Sequence, residues 1–217
     1  MARGRPAPSC RGRVVIRSEL GRGTPWLALG ASALAWTLGS ASAELQGACA
    51  LTRDAIAGGE LWRLWSGHFV HFSDAHLRGD LIAFLIWAAW LERGSRELLV
   101  ATLLVAAPLL SLAVLLGCPT LGQYRGLSGL DCTLVVALIW RRGLQSERLR
   151  SVGLWCWAAF AAKCGYEVFA GRAILAPDLG DRVRLLPLAH VVGALLGVTM
   201  CAIARHGLQP MRCFPKA

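Results

Sequence analysis

Ser128 lies in Tyr124-Arg125-Gly126-Leu127-Ser128-Gly129, where a loop runs into an apolar stretch. Glycines flanking a serine permit a tight turn and close approach of a second chain. Amide groups at a helix start are free to stabilise an oxyanion. His190 lies in Ala189-His190-Val191-Val192-Gly193-Ala194-Leu195-Leu196-Gly197, three residues before a G-x-x-x-G ridge. Such a ridge lets another helix approach closely, and a serine beside a histidine base is the minimum for nucleophilic catalysis. Taken singly, each has a plainer reading, as a packing Gly-Ser pair or as a ring bonded to a carbonyl. His76, Asp80, Asp131, Lys163 and Glu167 also fall in or at the rim of apolar segments. Ionisable groups at membrane depth usually face a protein interior or water and serve a function. Interhelical hydrogen bonds and a Lys163–Glu167 pair at i, i+4 are the alternative.

Helices in a membrane must position these groups. The 217 residues are 55% hydrophobic and only 17% charged, with mean hydropathy +0.51, whereas soluble domains carry about 25% charge. At about 20 residues per span, tails and loops leave room for five to seven spans and no large soluble domain. Gly23 to Ala43, Leu98 to about Gly117 and Leu185 to Ala204 are uncharged apart from His190. His76 to Leu91, Leu127 to Trp140 and Ser151 to Ala170 are apolar with ionisable interruptions, which gives six spans. With the amino terminus inside, fifteen Lys and Arg face the cytoplasm against seven opposite, as the positive-inside rule requires. The net charge of +10 is thus explained by topology, without nucleic acid.

The expected organisation is all-α and polytopic: a basic cytoplasmic tail over 1–22, a six-transmembrane-helix bundle over 23–205 and a short cytoplasmic tail over 206–217. Ala41-Ser42-Ala43 after the first apolar run also fits a signal-peptide cleavage pattern, although losing that helix would leave five spans. Eight cysteines form no C-x-x-C pair and read mainly as small hydrophobes. Cys49 and Cys118 share the non-cytoplasmic side. His68, His71, Asp74 and His76 invite a metal reading, but their spacing is not H-E-x-x-H.

Gly126-Leu127-Ser128-Gly129 and A-H-x-x-G-x-x-x-G resemble the signature motifs of rhomboid intramembrane serine proteases. Trp62-Arg63, then His71-Phe72-Ser73 and His76 with Asp80 four residues on, resemble the family's W-R loop and its H-x-x-x-N. The resemblance runs over about residues 25 to 205. It implies Ser128 as nucleophile and His190 as general base, with no cofactor and no metal. It also implies oxyanion support from His76, position 80 and the amides near Gly126, Leu127 and Ser128. A loop dipping into the outer leaflet and a fifth helix acting as substrate gate, bearing Lys163 and Glu167, complete it. The implied partners are the lipid bilayer and transmembrane protein substrates.

The departures from the family pattern are specific. Asp80 stands for the usual Asn, and a carboxylate accepts but cannot donate a hydrogen bond. Either Asp80 is protonated or the oxyanion site relies on His76 and amides. Cys132 stands where a Tyr often stacks on the histidine, and Asp131, one turn from Ser128, could orient His190 as a third triad member. With Lys163-Cys164-Gly165-Tyr166-Glu167, these features resemble the rhombosortase branch, inner-membrane bacterial enzymes that process C-terminal Gly-rich sorting tails. An inactive client-binding rhomboid and a proton-coupled transporter are the competing functions.

Overall fold

The computed structural model describes residues 23–144, 150–170 and 187–207. The basic tail over 1–22 lies outside them, as does nearly all of the tail over 206–217. The helices are α1 (Trp26–Gly39), α2 (Ala43–Cys49), α3 (Arg53–Ala57), α4 (Arg63–Ser66), α5 (Asp74–Gly94), α6 (Arg96–Ala101), α7 (Ala107–Gly117), α8 (Ser128–Leu138), α9 (Arg150–Ala170) and α10 (Pro187–Gly207). Among the described residues there is no strand, only an isolated antiparallel bridge between Leu51 and Tyr124. Each of the six segments expected to span is helical.

A π-turn over Thr102–Ala106 joins α6 to α7. Pro108 follows at the start of α7, and lacking an N–H it cannot complete a regular ladder there. The joined stretch Arg96–Gly117 and Pro187–Ala204 are long and apolar enough to cross a membrane, whereas α1 is apolar but has 14 residues. α1 is shorter than the uncharged run allows because Gln46 Nε2 donates to the carbonyls of Gly39 and Ala41 and turns the chain into α2. Gly39 meanwhile packs so tightly that a Cβ there would lie 2.7 Å from Leu77 Cδ1.

One core joins α1, α5, α6, α8 and α10 around Phe84, Leu91, Leu99, Leu130 and Leu134. α5 reaches it with a seam of Leu77, Phe84, Ala88 and Leu91, spaced by sevens, fours and threes as one helix face requires. A second core of Leu51, Leu64, Leu110, Val114 and Tyr124 seats the loop helices on α7. Outside, Ile82, Ile86, Leu104, Leu109, Leu116, Leu195 and Ile203 are exposed. Apolar exposure on this scale marks an interaction or membrane surface.

Two long-range devices hold the frame. Buried Arg63 donates to the carbonyls of Gly47 and Ala50 at 2.7 and 2.8 Å and pairs with Glu60 at 2.6 Å. Ser66 Oγ donates to Cys49 O, Ser111 Oγ to Leu64 O, and an Arg53 guanidinium N–H to Leu115 O. This stitching fixes three helices too short to stand alone. The start of α1 has no local side-chain cap. Instead the Glu92 carboxylate, near the end of α5, accepts from the amides of Leu27 at 3.2 Å and Ala28 at 2.9 Å.

Loss of a cap costs about 0.5–2 kcal/mol. Glu92→Ala should lower unfolding stability in micelles by that order, and Glu92→Gln, which keeps one acceptor oxygen, by less. An alanine variant as stable as the wild type would show that α1 is held by packing alone.

Candidate active site

The turn before α8 is built from the backbone outward. Leu51 and Tyr124 exchange backbone hydrogen bonds at 3.1 and 2.9 Å, and the Gly126 amide donates to Gly67 O at 3.2 Å. These bonds tie the turn to the α2–α4 loop. Burial pushes the Tyr124 phenol well above its usual range, so it stays protonated and donates to Gly126 O at 3.3 Å. Gly126 has φ +124, a conformation that side chains rarely adopt. A Cβ there would also lie 3.0 Å from the His76 ring and 3.2 Å from Asp80 Oδ2. The first glycine of the motif is therefore required twice, by conformation and by space.

This turn aims the first amides of α8 at one point. Leu127 N–H and Ser128 N–H donate to Asp80 Oδ2 at 3.0 and 3.1 Å. His76 Nε2 lies 3.2 Å from the same oxygen, and His71 Nε2 lies 3.4 Å from it, out of line for a hydrogen bond. Ser73 Oγ accepts from the His76 amide at 3.2 Å, starting α5 so that His76 and Asp80 share its inner face. Burial is the main influence holding His71 below its usual range, with the Asp80 carboxylate opposing. Phe72 stacks on His76 with its plane 3° from parallel, and the Arg125 guanidinium sits 5.3 Å over Phe72. Ser128 itself is half-buried.

His190 is brought in by the packing of α10 on α8. A Cβ on Gly193 would collide with Gly129 O, and one on Gly197 would lie 2.6 Å from Thr133 O. One turn further, Cys201 Sγ donates to Ala137 O at 3.7 Å across a separation of 64 residues. The pairs Gly193–Gly129 and Gly197–Thr133 keep that same separation. The two helices therefore run parallel and in step, and buried His190, three residues before Gly193, is level with the turn carrying Ser128. Cys132 fits this seam, since a Gly193 Cβ would lie 3.2 Å from its own Cβ.

Asp131 is buried on α8, and its Oδ1 has no hydrogen-bond partner among the described residues. Lys163 is half-buried on α9. The side chain of Glu167 lies outside the described residues, and with it the expected Lys163–Glu167 pair. Among the described residues no group of three His, Cys, Asp or Glu is arranged to hold a metal ion.

His68, considered in the sequence only for metal, is a staple. Its Nε2 lies 3.0 Å from Ala107 O, which can only accept, so that nitrogen carries the proton. His71, legible only as part of a motif, proves to face Asp80 directly. Capping of α8 by a residue 47 positions away left no signal in the sequence.

A family model described as Rhomboid domain matches residues 58–207, more than half of the chain. The all-helical frame and apolar exterior define a membrane-protein class, and the match places the chain within it: the chain belongs to the rhomboid family. That family comprises membrane-embedded serine proteases acting on transmembrane substrates. No curated protein matches the chain.

Two outcomes follow from this geometry. Gly193→Ala forces a methyl against backbone, an overpacking that costs about 1–3 kcal/mol. It should lower the unfolding midpoint in micelles, and unchanged stability would mean that α8 and α10 pack less closely. Burial lowers His68 from 6.5 to about 4, so the folded state binds its proton less readily than the unfolded chain. Stability is then full above pH 6.5 and falls by about 3 kcal/mol as pH drops toward 4. Unfolding measured across that range should lose this dependence in His68→Gln.

Proposed function

We propose that the chain is an active intramembrane serine endopeptidase, with Ser128 as nucleophile and His190 as general base and then acid. The observation that carries this reading is the convergence of the Leu127 and Ser128 amides with His76 on one point beside Ser128. The in-step packing of α10 supports it by setting His190 at the same level. Ser128 Oγ attacks the substrate carbonyl carbon as its proton passes to His190. The amine leaves with that proton, and water then hydrolyses the acyl-enzyme. Amides and His76 stabilise the oxyanion, and Asp131 serves as orienter of His190.

Six spans cross the inner membrane of a bacterium with both termini cytoplasmic, and cleavage falls near the outer face. Ionisable groups in α5, α8 and α9 hide three of these spans from a hydropathy criterion, while the cation distribution supports all six. The substrates are exported proteins whose C-terminal tails carry a Gly-rich motif, an apolar helix and basic residues. Asp80, Cys132 and the Lys163–Glu167 segment of the gate helix support this branch. Glycine in the substrate eases the unwinding that exposes a helical carbonyl.

One observation favours a second reading, an inactive client-binding rhomboid: the acceptor-only oxygen of Asp80 already takes up the amides that an oxyanion needs. A cleavage assay in membranes separates the two. Wild type should cut a reporter bearing a Gly-rich, apolar, basic tail, and Ser128→Ala should cut at least about a hundredfold more slowly. Cutting of a conventional rhomboid substrate alone would keep the protease and discard the branch. Absence of all cutting, together with no fluorophosphonate labelling of Ser128 in folded protein, would establish the inactive reading.

A further inference from the structure

Four nitrogen groups surround a single oxygen, Asp80 Oδ2: the amides of Leu127 and Ser128 at 3.0 and 3.1 Å, His76 Nε2 at 3.2 Å and His71 Nε2 at 3.4 Å. The His71 side chain is 1% exposed, and among the described residues neither of its ring nitrogens has a hydrogen-bond partner. It is aimed at the cluster without being satisfied by it. A backbone amide donates one good hydrogen bond, so the two amides cannot serve Asp80 and a second anion at once. One of the two amides is that of Ser128 itself, so the donors held by Asp80 belong to the turn on which a tetrahedral adduct of Ser128 would need them. The Asp80 side chain is 14% exposed, so it is not fully enclosed by the site.

We infer that Asp80 is the resting occupant of the oxyanion-stabilising cluster, an internal inhibitor whose carboxylate must swing out before Ser128 can be acylated. The inference rests on the proteolytic reading above and changes the part assigned to position 80 from helper to obstacle. An incoming oxyanion meets a carboxylate a few Å away in a water-poor site, where like charges repel strongly. Its donors become available only as Asp80 leaves. The same side chain caps α8, so removing it frees the site and weakens the fold together. A residue that only capped the helix would show the second effect without the first.

The test uses the full chain in micelles, as wild type, Asp80→Asn and Asp80→Ala. It measures the rate of Ser128 labelling by a fluorophosphonate alongside the unfolding midpoint. In that reaction the Oγ–P bond forms, the P–F bond breaks, fluoride leaves and the serine proton passes to His190. The phosphoryl oxygen needs the same donors as the acyl oxyanion. Alanine empties the position, while asparagine keeps its shape without the charge, which protects the test if one variant folds poorly.

Both variants should label about tenfold faster or more, equivalent to 1.36 kcal/mol of barrier, despite lower unfolding midpoints. Wild type labelling as fast as or faster than the folded variants would overturn the inference and leave the protease intact. Labelling of none of the three, each shown to be folded, would overturn the proteolytic reading and the inference with it.

Discussion

In an apolar environment, the first amides of a helix must find an acceptor within the protein, because no water is there to supply one. Neither α1 nor α8 carries a side-chain cap of its own. Both are served by carboxylates of α5, Glu92 for α1 and Asp80 for α8. α5 is thus the strut on which the other two helices hang. Its inner face also brings His76 to the turn where Gly126, with its positive φ, passes too close for any side chain. The position of Ser128 is a consequence of this capping arrangement rather than of its own interactions.

The other half of the site depends on packing. Between helices in lipid the hydrophobic effect offers little, so close van der Waals contact and small residues decide which faces meet. Gly193, Gly197 and Cys201 present such a face at every fourth residue, and α8 answers with the carbonyls of Gly129, Thr133 and Ala137. Three contacts at one residue separation fix both the direction and the register of α10. A slip of one turn would move His190 by about 5 Å, enough to separate it from the α8 turn. The glycines three and seven residues past His190 therefore set its height as well as its proximity.

The helical character of the six apolar segments was legible because long apolar runs leave few alternatives, and the rhomboid relation was legible because three short motifs occur in order. The hydropathy signal was weakest in α5, the helix that matters most, since Arg78, Asp80 and Glu92 interrupt it. α2, α3 and α4 were not legible at all. They have four to seven residues each and are stabilised by distant partners of Arg63, Ser66 and Arg53 rather than by periodicity. His68 read as a metal candidate because its chemistry is visible in the sequence, whereas its acceptor on α7, 39 residues away, is not. For the same reason Asp80 read as a missing donor, and only the structure shows whose donors it takes.

Asp80 therefore carries two demands that pull apart. As the cap of α8 it should be a strong acceptor held firmly, and a carboxylate oxygen receiving two amides meets that demand better than a neutral amide does. On the proteolytic reading, a residue beside the developing oxyanion should be a donor, or absent. Asparagine at this position gives up part of the first to satisfy the second, and aspartate does the reverse. On that reading, aspartate here favours a well-formed resting state over a ready one. Strained or competing arrangements of this kind gather at functional sites, where they are tolerated because the surrounding fold over-determines them. The stitched loop and the stepwise glycine seam supply that surplus here: neither involves Asp80, and together they hold the turn from two sides.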